Sequence, residues 1–268
     1  MKKLMIALGA AALCGAVFAE DITSANIVGY ANVQTEKVGI NSMAQAFDAI
    51  ANSGFNLVDI KPVINTELEE MYTGGVVIMT LTDGGATDQT YIWTLEEDAG
   101  DGEGEGWFDD QGVRITDKVF LPGEGFVVST DFETSKLVTA GQVAVEDTVF
   151  NLITGINSCG NTMSASFKLG DIEAGVGVDE NGDMLLVNEE SGEELYTGGI
   201  VIMTLTDGGA TDQTYIYTLE EDAADGEGAG WFNDQGERCD DSVTFDAGIG
   251  FVVSSDFVGG CIRIPSAL

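Results

Sequence analysis

The carboxylates with the most suggestive spacing lie in Asp101-Gly-Glu103-Gly-Glu105-Gly106, where acidic residues alternate with glycine. Calcium takes about six to eight oxygen ligands, and flexible loops supply them from alternate positions. With Asp98 just upstream, Asp101, Glu103 and Glu105 form a candidate calcium site, and Asp109 and Asp110 could add charge to it. Two features oppose this. The loop lacks the bidentate glutamate that closes an EF-hand, and the matching loop downstream carries Ala229 where this one has Glu105. The competing reading is a solvated acidic turn, the usual fate of a charge run. Asp179-x-Asn181-x-Asp183 has similar ligand spacing, but the position of Gly182 suits a hairpin better than a calcium loop.

Catalytic chemistry finds little support. The chain contains no histidine, which removes Ser-His-Asp and Cys-His devices and every imidazole metal site. A carboxylate pair, as in glycoside hydrolysis, needs two acids at a defined separation. Among 46 Asp and Glu residues no spacing singles out such a pair. The chain is therefore read as non-catalytic with no catalytic residue assigned, and a carboxylate-based glycoside hydrolase is the weaker alternative.

Trp107 and Trp231 follow the two acidic loops, and Trp93 has Tyr217 as its counterpart. Exposed aromatic platforms stack on sugars in many β-sandwich binding modules, but large aromatics on alternating strands are more often core, and that is the expectation for these. Beyond Cys14 near the N-terminus the cysteines are Cys159, Cys239 and Cys261, all in the second half. An exported chain permits a disulfide, and an odd count leaves one thiol over. Three pairings are open. Cys239 with Cys261 is preferred, because they flank the predicted strand at Phe251-Val-Val.

These residues sit on a repeated framework. Tyr72 to Ala99 recurs at Tyr196 to Ala223 with only Val76/Ile200 and Trp93/Tyr217 changed. Gly106-Trp107-Phe108 matches Gly230-Trp231-Phe232, Gly39-Ile-Asn-Ser42 matches Gly155-Ile-Asn-Ser158, and Asp59-Ile60 matches Asp171-Ile172. Val178 to Glu193 is an insertion in the second copy. The fold class that follows is all-β, with two tandem β-sandwich or barrel-like modules related by internal duplication, over residues 20–137 and 138–268. Val76 to Leu81 and Thr90 to Leu95 read as strands rich in β-branched and aromatic residues. Asp109 to Gly112 and Leu121-Pro-Gly-Glu124 read as turns, and Glu180-Asn-Gly-Asp183 as a two-residue hairpin. Ser42 with Met43, Ala46, Phe47 and Ile50, then Gly54, has the look of a capped amphipathic helix. Its counterpart Ser158 to Phe167 is poor in helix formers, so an extended or irregular segment with one helical turn is expected in both.

Residues 1–19 read as a signal peptide: Lys2 and Lys3, an apolar stretch from Leu4 to Val17, then Val17-Phe18-Ala19 before Glu20. No later run reaches the roughly 18 to 20 apolar residues of a membrane-spanning helix, so no integral membrane span is expected. Loss of Lys2 and Lys3 with the leader takes the formal charge from −36 to −38. Nucleic acid and anionic membrane surfaces are poor partners for such a chain.

The opening Ser24-Ala-Asn-Ile-Val-Gly-Tyr30, the Gly-Trp of the second half and Pro122-Gly-Glu-Gly-Phe126-Val-Val resemble a recurring set of uncharacterised exported bacterial tandem β-module proteins. The second copy departs from that pattern, since Phe245-Asp-Ala-Gly-Ile-Gly250 lacks the proline. The resemblance implies export and a β fold and carries no activity with it.

The expected function is a non-catalytic structural or cell-surface-associated protein that is extracellular, surface-bound or periplasmic. A carbohydrate-binding or calcium-dependent adhesion module is the rival. A surface glycan, another envelope protein or divalent cations are the partners considered, and calcium is the one cofactor considered.

Overall fold

The computed structural model describes residues 28–34, 38–44, 55–81, 86–121, 123–142, 147–161, 166–205, 211–224, 226–240 and 242–265. Ten strands belong to the first repeat: β1 (Val28–Gln34), β2 (Gly39–Ala44), β3 (Phe55–Asn56), β4 (Lys61–Val63), β5 (Val76–Leu81), β6 (Thr87–Thr94), β7 (Gly106–Phe108), β8 (Val119–Phe120), β9 (Gly125–Thr130) and β10 (Lys136–Gln142). Twelve follow: β11 (Thr148–Asn151), β12 (Gly155–Gly160), β13 (Phe167–Lys168), β14 (Glu173–Gly175), β15 (Val187–Asn188), β16 (Glu193–Glu194), β17 (Ile200–Leu205), β18 (Thr211–Thr218), β19 (Gly230–Asn233), β20 (Thr244–Phe245), β21 (Gly250–Ser255) and β22 (Cys261–Ile264). Among the described residues the only helical segments are 3₁₀ turns at Leu57–Asp59 and Leu169–Asp171.

The β-branched runs dictate this outcome. In β5, Val76, Ile78 and Thr80 are buried while Val77, Met79 and Leu81 are half-buried. The strand is inward on one face and partly covered on the other, as the period of two requires. Burying a side chain such as Ile78 contributes about 1.5–3 kcal/mol. Along β6, Tyr91 and Trp93 face the same core.

Both repeats share one strand order and one register. The first has an antiparallel five-stranded sheet, β2-β9-β5-β6-β7, and the second has β12-β21-β17-β18-β19. Ile40 pairs with Ser129 as Ile156 pairs with Ser254, and Trp93 with Trp107 as Tyr217 with Trp231. The register even shifts at matching places, between Met79 and Leu81 and between Met203 and Leu205. A three-stranded sheet completes each repeat, β1-β10-β4 and β11-β22-β14, with the small pairs β3-β8 and β13-β20. Leu137 of β10 lies in one core cluster with Ile78 and Val128 of the five-stranded sheet, and Ile262 and Ile264 of β22 lie with Ile202 and Val253. The two layers of each repeat thus close over a common core, as in a sandwich.

Ser42 and Met43 are extended within β2, paired to Val127 and Phe126. The rest of the candidate helix, residues 45–54, lies outside the described residues. Strand pairing decides the conformation of the first part, because each residue gains a partner strand that an isolated turn of helix lacks.

The insertion folds as a hairpin and a short strand pair tied back to the repeat through Gly182, Asn188 and Glu193. Asp179 N–H donates to the Asp183 carbonyl at 2.9 Å and Gly182 N–H to the Asp179 carbonyl at 3.0 Å, with Gly182 at φ +86°. This corrects the expected two-residue loop to three residues, Glu180 to Gly182. The Asp179 carboxylate explains it by accepting the Asn181 and Asp183 amides, both at 2.8 Å. Beyond it, Val187 and Asn188 pair with Glu194 and Glu193.

The repeats meet through equivalent parts. Met43 bridges Ile249, and Glu124 bridges Cys159. Met43 and Cys159 hold matching places in β2 and β12, and Glu124 and Ile249 each directly precede the glycine that opens β9 or β21. The contact is therefore related to itself by a pseudo-two-fold. Its closeness depends on glycine. A Cβ on Gly125 would lie 2.7 Å from the Cys159 nitrogen and against Ser158 Oγ, and one on Gly250 would lie 2.6 Å from the Met43 nitrogen. Ile249 packs against both cores.

Candidate functional site

The acidic loops are built around an arginine. Leu95, just beyond β6, accepts the amides of Asp98 and Ala99, both at 3.0 Å, and starts the turn. Gly102 and Gly104 then take φ values of +84° and +69°. These left-handed positions turn successive carbonyls to one side. Into that side reaches Arg114, from the hairpin that follows β7. Its Nη1 donates to the carbonyls of Glu103 and, at 2.9 Å, Gly104, and its Nη2 to that of Glu105 at 3.0 Å.

The second repeat builds the same clasp. Arg238 Nη1 donates to the carbonyls of Glu227, Gly228 (3.0 Å) and Ala229 (3.1 Å). Because the acceptors are backbone oxygens, the change from Glu105 to Ala229 costs no bond. The glycine of each Gly-Trp pair admits the guanidinium: a Cβ on Gly106 or Gly230 would lie 2.8 Å from the arginine Nη2. Each guanidinium also stands over a phenylalanine ring, Phe108 at 5.6 Å and Phe232 at 5.8 Å.

The four candidate calcium ligands are placed apart in role. Asp98 accepts the Thr73 hydroxyl at 2.7 Å, and Thr73 Oγ1 accepts the Leu95 amide at 2.9 Å. Asp101, Glu103 and Glu105 are exposed. The carbonyls of Glu103 and Glu105 face Arg114, a cation already inside the loop. Among the described residues no group of three or more carboxylates or thiols is placed to hold a metal ion. Asp109, expected as outer charge, instead caps its own turn by accepting the Gln111 and Val113 amides at 2.9 and 2.7 Å. Asn233 makes the equivalent bonds to Gln235 and Glu237, so Asp109, Asp179 and Asn233 head three turns of one design. At Asp179 these bonds hold the carboxyl below its usual range, the Asp183 amide contributing most.

The aromatic residues are core. Trp107 and Trp231 are 1% exposed, and their Nε1 atoms donate to the carbonyls of Ile60 (2.8 Å) and Ile172 (2.7 Å). Trp93 meets Trp107 edge-on with centroids 5.2 Å apart, and Tyr217 meets Trp231 at the same distance. Neither tryptophan presents a face to a sugar.

Cys159, Cys239 and Cys261 are all buried free thiols, so the expected Cys239–Cys261 bridge is not formed. The reason is topological. β21 runs between β12 and β17, and Cys159 of β12 is the cysteine opposite Phe251. Cys239 closes the hairpin after β19 and donates its amide to Trp231. Cys261 lies on β22 in the other layer, opposite Asn151 and Gly175. Burial pushes the Cys159 thiol up to about 12 and raises those of Cys239 and Cys261.

Sequence reasoning missed Arg114 and Arg238. Their signal was available: each stands eight residues beyond the glycine of a Gly-Trp pair in an acidic chain with few cations. No protein-family model matches the chain, and comparison with curated proteins and with solved structures gave no match. Among the described residues no helix is long and apolar enough to cross a membrane.

Proposed function

We propose that this is a non-catalytic, exported structural or cell-surface-associated protein, in which two β repeats form a rigid scaffold clothed in carboxylates. The observation that supports this most directly is the arginine clasp, repeated in both halves. The loops richest in apparent ligands use their backbone to close the fold and turn their acidic side chains to solvent. Export is the reading of the basic, apolar and small-residue segments that precede Glu20. An outward carboxylate layer of this density keeps the chain soluble and repels anionic partners.

The test compares calcium with sodium at equal ionic strength on the mature protein. If the loops are only solvated surface, both salts screen the same repulsion and the melting temperatures coincide. A calcium-specific gain of several degrees, abolished by Asp101→Ala, would overturn this reading in favour of calcium-dependent adhesion, because a ligand bound only by the native state stabilises it by mass action.

A further inference from the structure

Where the repeats meet, one side of the contact opens into a cleft of about 470 Å³. It lies between Leu81, Leu121 and Gly123 to Gly125 of the first repeat and β11, Ile153 and β12 of the second. That volume is in the range of small-molecule sites, roughly 300–1,000 Å³, which favour junctions between folded units. Leu121, Val149 and Ile153 stand at it 61%, 36% and 49% exposed.

The pseudo-two-fold makes these residues informative. Leu121 accepts the Glu124 amide as Asp246 accepts the Ile249 amide. Val149 pairs with Arg263 as Asn32 pairs with Val138, and Ile153 precedes Gly155 by the same step as Lys37 precedes Gly39. At all three positions the sister repeat carries a polar or charged residue, Asp246, Asn32 and Lys37. On the other side of the contact the apolar change is Ile249, in place of Glu124, and it packs against both cores, whereas Leu121, Val149 and Ile153 stay exposed. Exposed apolar surface gathered in a concave site marks a place that is covered in use.

Ser158 Oγ at the cleft is buried, neutral and without a hydrogen-bond partner among the described residues, while two other polar side chains of the lining are already engaged. Asn157 Nδ2 donates to the carbonyls of Ile153, Gly155 and Val253, and Thr80 Oγ1 accepts the Gln89 amide. Glu124, the one ionisable carboxylate of the lining, is paired with Lys118 at 2.8 Å and accepts the Leu121 amide at 3.0 Å. Among the described residues of the lining no unpaired charge is offered to a charged ligand. The acidity of the whole chain, −36 before loss of the leader, disfavours anions in particular.

We infer that the cleft between the repeats binds a compact, uncharged, apolar molecule. It does so independently of the acidic loops, whatever their response to calcium. Burial of the ligand against Leu121, Val149 and Ile153 provides the attraction, and the neutral lining sets the selectivity.

The probes are N-phenyl-1-naphthylamine, which is uncharged, and 1-anilinonaphthalene-8-sulfonate, which has the same rings with an anionic group. The mature protein is expected to bind the first saturably at one site, and the second at least about tenfold more weakly, a difference of roughly 1.4 kcal/mol. The paired variant Val149→Asn with Ile153→Lys installs the residues that the sister repeat carries, and should reduce binding about tenfold or more. Leu121→Asp tests the opposite wall on its own, with circular dichroism reporting that each variant is folded. Equal binding of both probes, absence of saturable binding, or unchanged affinity in folded Leu121→Asp or in the folded paired variant would each overturn the inference.

Discussion

Arg114 bonds Glu105 through the glutamate's backbone oxygen, Nη2 to carbonyl at 3.0 Å, and leaves the carboxylate exposed. The pair is electrostatically complementary in sequence, yet the contact that holds it is indifferent to the acid. Hence the second repeat keeps the bond with Ala229.

Removing the arginine and removing the glutamate should therefore have unequal effects. Arg114→Ala is expected to destabilise the protein by about 1–3 kcal/mol, since a charged donor group and its ring contact are lost. Glu105→Ala should fall within about 0.5 kcal/mol of wild type. Urea unfolding of both variants checks this. A larger loss from Glu105→Ala than from Arg114→Ala would show that the carboxylate has a role the clasp does not explain.

The contact between repeats should tolerate no side chain at its glycines. Gly125→Ala sets a methyl 2.7 Å from the Cys159 nitrogen, and Gly250→Ala sets one 2.6 Å from the Met43 nitrogen. Both neighbours are backbone and cannot swing aside. Each variant is expected to lose about 1–3 kcal/mol, the usual range for overpacking. Gly112→Ala offers a contrast: its Cβ would meet nothing within 4 Å, but its φ of +78° strains any L side chain. Thermal melts showing Gly125→Ala as stable as wild type would refute the close approach.

Ser42 Oγ and Ser158 Oγ are buried with no hydrogen-bond partner among the described residues. A buried unsatisfied hydroxyl is a net cost, so Ser158→Ala should be neutral or stabilising by up to about 1 kcal/mol. A marked loss of stability in this variant would reveal that the hydroxyl is satisfied in solution.

Acid should weaken the Glu69 tether. Its carboxylate accepts the Thr134 hydroxyl and the amides of Glu133 and Thr134, and those bonds lower its pKa, the Thr134 hydroxyl contributing most. With the folded pKa below the unfolded value, the contribution is complete above the unfolded pKa and disappears as pH falls through the folded one. Glu69→Gln should therefore melt below wild type at pH 7, and the gap should close in acid. A gap that persists below both values would point to a loss of packing instead.

Much of the framework was legible because β structure writes itself in short alternating runs. Val76 to Leu81 and Thr90 to Leu95 announced strands, and the repeated blocks announced equal registers. The acidic loop was harder. Ligand spacing considers side chains, while this loop acts through carbonyls that every residue possesses and no sequence pattern displays. The cysteines failed for another reason. Cys239 and Cys261 are near neighbours of one strand along the chain, but the strand's partners in space come from elsewhere. Alternation within a strand is local, and strand order is not. The pairing at Ser42 and Met43 overrode a local helical pattern for the same reason.

Arg263 completes a set. It donates to the Gly182 carbonyl and, at 2.9 Å, to Glu173, so all three arginines of the chain have their guanidinium groups held by main-chain oxygens. Trypsin-like proteases must draw a basic side chain into a deep specificity pocket with the flanking backbone extended. Here each arginine would first have to leave the loop it closes. These backbone contacts therefore also withhold the three arginine cleavage points, and nicking after Arg114, Arg238 or Arg263 becomes a readout of local opening.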